Sequence, residues 1–279
     1  MKKQTVNNSL ILGYLYVATG KRYLEEAITS AQTLKAVTPE AKVCLVTDHS
    51  FEHPIFDIIK VVAFEVADDG SWKSNLIYKI IGIQNSPFDR TVFLDTDMYI
   101  VHTFHEVFQT LDHFDFLACL DYYDQSEVMS ERQVVPYFTP YNTGMLVFRK
   151  TSETEKFLLD WESCYRRGKE TYWSDQPAFM EALLSNPIKM YVLHSSFNFR
   201  FLFNVGFLEN EIVRIIHGRA SREEFKIIAK RVNQSSRQRV WVASLRKCYG
   251  WSLPWHKKLL RQVYSWIPEG GKKLLRSLR

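Results

Sequence analysis

Apolar runs alternating with amphipathic segments of helical period constrain this chain more than any other feature of its sequence. Residues 10–18 form a β-rich apolar run closed by Thr19-Gly20. Within 22–35, Leu24, Ala27, Ile28, Ala31 and Leu34 recur at the spacing of one helix face. Further strands are predicted at 42–47, 58–66, 91–101, 116–120 and 145–148, and helices at 74–84 and 153–167. This order predicts an α/β layered domain on a mostly parallel sheet. Lys2 and Lys3 precede the first run, but Asn7, Asn8 and Ser9 intervene and no small-x-small site follows. The run therefore reads as a buried strand rather than a secretory leader.

Composition narrows the class. With 279 residues and 24% charged side chains, the chain suits one large domain with an appendage and excludes wholesale disorder. No apolar run approaches the roughly 20 residues of a membrane helix. Cys44, Cys119, Cys164 and Cys248 lie far apart, with no CxxC pair, which excludes a Cys-based zinc cluster and suggests a reducing, cytoplasmic compartment. The net charge of +5 is uneven: residues 226–279 carry fourteen Lys and Arg against one acid, a net +13, while 1–225 carries −8. The expected organisation is an acidic domain at 1–225 and a basic, Trp-containing helical appendage at 226–279. No nucleic-acid motif is present, and nucleic acid is not an expected partner.

Ligands of open α/β sheets bind beyond the carboxyl ends of strands, so the segments following apolar runs hold the candidate functional residues. The first run is followed by Thr19-Gly20-Lys21-Arg22, and neither GxGxxG nor GxxxxGK[ST] occurs. A Rossmann dehydrogenase and a P-loop nucleoside triphosphatase are excluded. The segment Phe93-Leu94-Asp95-Thr96-Asp97 says more. Carboxylates at i and i+2 of a strand share one face, where they repel unless a cation lies between them. A divalent ion fits, since such ions bind through one or two carboxylates plus substrate phosphates. A strand that simply ends in polar turn residues fits the same string. A haloacid-dehalogenase-type phosphatase does not: its pair follows the first strand, with Thr or Val two positions on, where this chain has Tyr99.

Other short motifs stand in a fixed order around this one. Val17-Ala18-Thr19 is followed by Tyr23, and Lys79 lies sixteen residues before Asp95. Tyr141-Asn142-Thr143-Gly144-Met145, Ser174-Asp175-Gln176, Phe197-Asn198 and Ile215-Ile216-His217-Gly218 come after it. Over about residues 10–220 the series resembles GT-A-fold glycosyltransferases of the glycogenin and family-8 nucleotide-diphospho-sugar transferase type. The resemblance implies a GT-A fold and a nucleotide-diphosphate sugar donor, with UDP favoured. It implies a Mn²⁺ or Mg²⁺ ion held by Asp95, Asp97 and His217, a set whose imidazole and carboxylates suit such ions. Donor contacts are implied for Ala18, Thr19, Tyr23, Lys79, Asp95, Thr96, Asp97, Asn142, Gly144 and Gly218, and catalytic roles for Asp175, Gln176 and Asn142. The implied reaction is retaining transfer of a hexose to a hydroxyl of a saccharide or lipid-linked acceptor. An amide is a poor nucleophile, so Gln176 would orient the acceptor or stabilise charge.

Several of these residues also fit structural roles. Tyr23 could pack on the core from a first helical turn, Lys79 could be a solvated helix lysine, and His217 a structural histidine. Asp175 could cap a helix at 177–184. After His217-Gly218 the family's Lys-Pro-Trp is replaced by Arg219-Ala220-Ser221-Arg222, so either Arg219 or Arg222 takes over the phosphate contact or the contact is missing. A non-catalytic nucleotide-sugar or glycan-binding protein on the same fold is the alternative function. In the appendage, 257–267 places Leu259, Leu260, Val263, Tyr264 and Ile267 on one helical face and Lys257, Lys258 and Arg261 on another. Peripheral contact with the inner face of a membrane and docking on the globule are both open.

Overall fold

Runs that are apolar at every position can be strands only where both sheet faces are covered, and the fold supplies that cover. A computed structural model describes residues 10–64, 72–122, 139–168, 170–250 and 266–268. In chain order it has β1 (Leu12–Val17), α1 (Gly20–Val37), β2 (Val43–Thr47), β3 (Ile58–Val61), α2 (Trp72–Gln84), β4 (Arg90–Leu94), β5 (Met98–Ile100), the short α3 (Val107–Thr110), β6 (Phe116–Leu120) and β7 (Tyr141–Arg149). There follow α4 (Ser152–Gly168), α5 (Gln176–Ser185), β8 (Met190–Leu193), β9 (Phe199–Arg200), β10 (Val205–Phe207), β11 (Ile215–His217), α6 (Arg222–Asn233), β12 (Arg239–Val242) and β13 (Lys247–Gly250).

The large sheet has seven strands in the order β3-β2-β1-β4-β7-β6-β8. Only β7 runs against its neighbours. Alternation along β1 separates two cores. Tyr14 and Tyr16 pack with Leu24, Ala27, Ala31 and Leu34 of α1 on one face. Leu15 packs with Ile77, Ile80 and Ile83 of α2 and with Trp161 of α4 on the other. The helical face read at 22–35 is thus the buried face of α1, and the expected mostly parallel α/β architecture is present.

Two three-stranded sheets, β5-β11-β9 and β10-β12-β13, flank the large one. A third core joins them: Phe225, Ile228 and Val232 of α6 pack with Phe199, Phe201, Ile216 and Trp241. Trp241 is fully buried and its indole Nε1–H donates to the Phe201 carbonyl at 2.8 Å. The boundary expected between residues 225 and 226 falls inside α6, and residues 226–250 share this core with 199–225. Of the basic residues beyond 225, Lys226, Lys230 and Arg231 lie on the exposed side of α6, whereas Arg239 is buried in the fold. Most of the amphipathic stretch at 257–267 lies outside the described residues. Among the described residues, no helix is long and apolar enough to cross a membrane.

The predicted strand 91–101 is two strands. Pairing with β7 continues to Asp95, whose N–H donates to the Gly144 carbonyl at 2.7 Å. The chain then turns through Thr96 and Asp97, and β5 leaves the large sheet to pair antiparallel with β11. The apolar residues on either side of Asp95-Thr96-Asp97 read as one strand because both flanks are largely buried, β4 in the large sheet and β5 in a small one. The aspartates therefore sit on a turn, and the same-face argument for a single strand does not apply to them.

Asp115 ties β6, β7 and β8 together at the other end of the sheet. Its carboxylate accepts from the Lys189 N–H at 2.9 Å and from Arg149 Nε at 3.0 Å. Burial pushes its pKa up, but these two partners outweigh it and hold the group below the ordinary carboxylate value. Asp115→Ala should destabilise the fold by about 1–3 kcal/mol in denaturant unfolding. A depressed folded pKa gives stability that is present above the unfolded value of about 3.9 and lost as pH falls through it. The two unfolding midpoints should therefore converge at pH below about 4; a gap independent of pH would assign the loss to packing.

Candidate functional site

The carboxyl ends of β1 and β4 and the amino end of the opposed β7 share one edge of the large sheet. A cavity of about 530 Å³ opens there. Thr19, Tyr23, Lys79, Asp95, Thr96, Asp97, Asn142, Gly144, Asp175, Gln176 and His217, all singled out in the sequence, line it. Gly218 lines a neighbouring cavity of about 380 Å³ behind the Asp95–Asp97 turn. Ala18 does not reach either: it is 2% exposed and packs in the first core, where its N–H continues the sheet by donating to Val46. Its placement follows from β1 alternation, which turns Val17 to the cavity and the next side chain away.

Backbone register brings His217 to the aspartates across more than a hundred residues. Met98 pairs with His217 between β5 and β11, and the Gly218 N–H donates to the Asp97 carbonyl at 3.0 Å. The His217 Nε2 then stands 3.4 Å from Asp97 Oδ1 and 3.9 Å from Asp95 Oδ2. Gly218 has φ of 129°, a conformation that L side chains rarely adopt, so a glycine is needed to turn the chain away from His217. Thr96 points back into the protein, where its hydroxyl donates to Glu26 of α1 at 2.9 Å.

Lys79 of α2 is 9% exposed and is no solvated helix lysine. Its Nζ lies 3.1 Å from Asp95 Oδ1 and 3.3 Å from Asp175 Oδ2, and donates to Thr143 Oγ1 at 3.1 Å. Burial works against the ammonium, yet the two carboxylates outweigh it and hold its pKa above the ordinary lysine value. Burial likewise dominates at Asp95 and raises its pKa, with Lys79 and His217 only partly offsetting the rise. At Asp97 the balance reverses: burial is outweighed by His217 and Arg219, which hold the carboxyl well below the usual range.

The capping role open for Asp175 is not what the structure contains. Asp175 precedes α5, but its side chain makes no cap hydrogen bond. Its carboxylate accepts instead from Thr143 Oγ1 at 2.8 Å, while its carbonyl accepts from Trp161 Nε1 at 3.1 Å. A buried ammonium nearby offers the carboxylate more than the backbone N–H groups of a helix start. Tyr23 packs against the first core and lines the cavity. Thr19 does not cap α1 and donates to Asn75 Oδ1 at 3.1 Å.

Sequence reasoning missed Asp121, Arg200 and Glu26. Asp121 follows β6 as Asp95 follows β4, so a carboxylate closing an apolar run was a usable signal. Arg200 and Glu26 carry none, since a single charge on a short strand or helix face is ordinary. Glu26 accepts from Arg219 Nε at 3.0 Å, and Arg219 Nη1 lies 3.9 Å from Asp97 Oδ2. Arg219 lines the main cavity, whereas Arg222 lines only the smaller one.

The residues present fit a divalent cation. One ligand atom each from Asp95, Asp97 and His217 lie within 4.8 Å of one another. Ligands about 2.1 Å from a common Mg²⁺-like ion stand roughly 3–4 Å apart, close to the distances seen. Gly144 provides the space: a Cβ there would lie 2.5 Å from His217 Cε1 and 3.0 Å from Asp95 Oδ2. Gly144→Ala should therefore weaken Mn²⁺ binding at least about tenfold, as displaced ligand supports do elsewhere. Titration followed by the free-Mn²⁺ electron paramagnetic resonance signal measures this, and unchanged affinity would place the ion elsewhere.

Residues 90–222 match the model of the nucleotide-diphospho-sugar transferase family. Among solved structures, the galactosyltransferase LgtC in complex with donor and acceptor sugar analogs is similar at 12% identity and a TM-score of 0.53, over 75% of this chain and 87% of that one. Mouse xyloside xylosyltransferase 1 is similar at 13% identity and a TM-score of 0.51, over 75% of this chain and 98% of that one. The glycosyltransferase GlyE of Streptococcus pneumoniae TIGR4 is similar at 12% identity and a TM-score of 0.53, over 86% of this chain and 59% of that one. No curated protein sequence matches the chain. The fold is that of the GT-A glycosyltransferases, as the motif series implied.

Proposed function

We propose that this chain is a metal-dependent glycosyltransferase that moves a hexose from a nucleotide-diphosphate sugar, preferentially a UDP-sugar, to a hydroxyl of a saccharide or lipid-linked acceptor. The observation that carries the proposal is the convergence of Asp95, Asp97 and His217 beside Lys79 and Asp175 in one cavity of the GT-A fold. A Mn²⁺ or Mg²⁺ ion on the first three residues would supply Lewis-acid charge to the departing diphosphate. Arg219, fixed by Glu26 at the rim, is placed to take phosphate oxygens, so it rather than Arg222 replaces the missing family lysine. Thr19, Tyr23 and Asn75 line the same cavity and would receive the nucleoside.

Sugar transfer develops oxocarbenium character, which calls for fixed negative charge near the anomeric carbon. Asp175 supplies such a charge, and its bonds to Thr143 and Lys79 hold it in one orientation. Gln176 lines the cavity beside it and would orient the acceptor hydroxyl. Retention of configuration belongs to the proposal and rests on the resemblance. A role in polysaccharide biosynthesis is proposed on the resemblance, and peripheral contact with the cytoplasmic face of a membrane through the basic amphipathic stretch at 257–267 is proposed on its sequence pattern.

Calorimetric titration with UDP, with and without Mn²⁺, followed by a screen of sugar nucleotides for release of the nucleoside diphosphate, tests this reading. Metal-dependent UDP binding with turnover of one donor is the expected outcome. Tight binding with no turnover of any donor would favour the non-catalytic nucleotide-sugar-binding alternative. No UDP binding in the presence of Mn²⁺ would overturn the UDP preference, and no binding or turnover of any sugar nucleotide would overturn both readings.

A further inference from the structure

Phe197-Asn198 belongs to the motif series but has no part in the chemistry above. Asn198 is 2% exposed and lies in a buried chain of side-chain hydrogen bonds that begins at His217. His217 Nδ1 is 2.7 Å from Asn198 Oδ1, Asn198 Nδ2 is 2.7 Å from Asn142 Oδ1, and Asn142 Nδ2 is 3.1 Å from Asp121 Oδ2. Asp121 Oδ1 in turn accepts from Arg200 Nη1 at 2.7 Å. Amide oxygens and nitrogens are exchangeable by a flip, so direction along such a chain must come from groups with only one possible role.

Two such groups fix it here. The Gly144 backbone N–H can only donate, and it points at Asn142 Oδ1 from 2.9 Å. The Asp121 carboxylate, paired with Arg200, can only accept, and it faces the other end of the same amide. Asn142 therefore presents oxygen to Asn198, Asn198 presents nitrogen to Asn142, and its own oxygen is left facing the imidazole. An oxygen can only accept, so His217 Nδ1 must carry the hydrogen. A neutral ring with Nδ1–H has its lone pair on Nε2, the nitrogen directed at Asp95 and Asp97.

We propose that Asn198 is the positioning residue of the metal centre, holding His217 in the Nδ1–H tautomer with Nε2 free to ligate. The proposal rests on the metal-site reading of Asp95, Asp97 and His217. Asn142 relays the orientation from Asp121 and Gly144; its oxygen has both lone pairs engaged, so within this arrangement it orders the site and does not accept from a sugar hydroxyl. One short strand serves both ends of the network. Asn198 and Arg200 flank Phe199, and β9 pairs in parallel with β11, which carries His217.

The test uses the full chain. Long-range ¹H–¹⁵N spectra of metal-free protein, at a pH where the ring is neutral, report the tautomer, and His217→Ala identifies the resonances by their loss. Wild type should show Nδ1 protonated and Nε2 unprotonated. Asn198→Leu keeps the branched shape of the side chain without the acceptor; it should mix in the Nε2–H form and weaken Mn²⁺ binding about 10–100-fold. An Nε2–H ring in wild type would overturn the proposal even if the Leu variant did not fold. So would a Leu variant with the wild-type tautomer and Mn²⁺ affinity. A wild-type chain with the Nδ1–H ring but no Mn²⁺ binding would overturn the metal-site reading and leave the tautomer assignment standing.

Discussion

Asp97→Asn should lower metal-dependent donor turnover by about two to three orders of magnitude while leaving the fold intact. Asp97 is one of the three groups whose ligand atoms converge, and its carboxyl is held below the usual range against the effect of burial, by His217 when that ring is charged and by Arg219. The carboxamide keeps the shape but removes the charge that faces both the imidazole and the cation. Losing one electrostatic stabiliser of a transition state costs roughly 3–4 kcal/mol, and each 1.4 kcal/mol or so is a factor of ten. The melting temperature should hardly move, because the Asp97 contact that fixes β5 against β11 is its carbonyl, which accepts from the Gly218 N–H. Turnover, Mn²⁺ affinity and melting should be measured on the same preparation. Native turnover in the variant, or in wild type with excess chelator, would remove the metal from the reaction.

Lys79→Met should have the largest effect on stability. The ammonium sits between Asp95 and Asp175 with little of the lysine exposed. Removing one partner from a buried charge network leaves the others uncompensated and costs about 3–5 kcal/mol. The sign of the pH dependence separates this from a packing defect. Burial already raises the pKa of Asp95, and loss of Lys79 removes the first of the charges that oppose the rise. The folded variant then binds a proton at pH values where the unfolded chain does not, so stability lost at neutral pH returns as pH falls toward the ordinary carboxylate range. Denaturant midpoints of wild type and variant should approach each other as pH falls from neutrality toward the ordinary carboxylate value of about 4. A deficit that stays constant over that range would show that the cost is cavity rather than charge.

The central sheet was legible because its evidence is local. β1 and β2 are buried on both faces and so must be apolar throughout, while α1 hides one stripe and so repeats every three or four residues. The ligand types were legible from the order of the motifs: the carboxylate pair alone fits a polar strand end as well, and only its place in the series with Asn142, Asp175 and His217 singled it out. The division of 91–101 into β4 and β5 falls at Asp95-Thr96-Asp97, but that β5 joins a different sheet is set by its distant partner β11 and left no local trace. The same limit hid the true partner of Asp175. Its position before α5 fits a cap on local grounds, and only a lysine nearly a hundred residues earlier draws the carboxylate away.

Asn198 marks the boundary between the two kinds of information. By itself the sequence determined the layered α/β fold, the edge of the sheet where chemistry would lie, and the residue types able to hold a divalent ion. Tertiary structure alone decided that Lys79 is a buried counter-charge, that Ala18 belongs to the core, and which nitrogen of His217 faces the aspartates. Periodicity records whether a side chain is buried, a property fixed within a few residues by the backbone. Direction and pairing of polar groups depend on strand registers closed between distant segments, here by Asn198, Asn142 and Asp121 meeting His217 at one edge of the sheet.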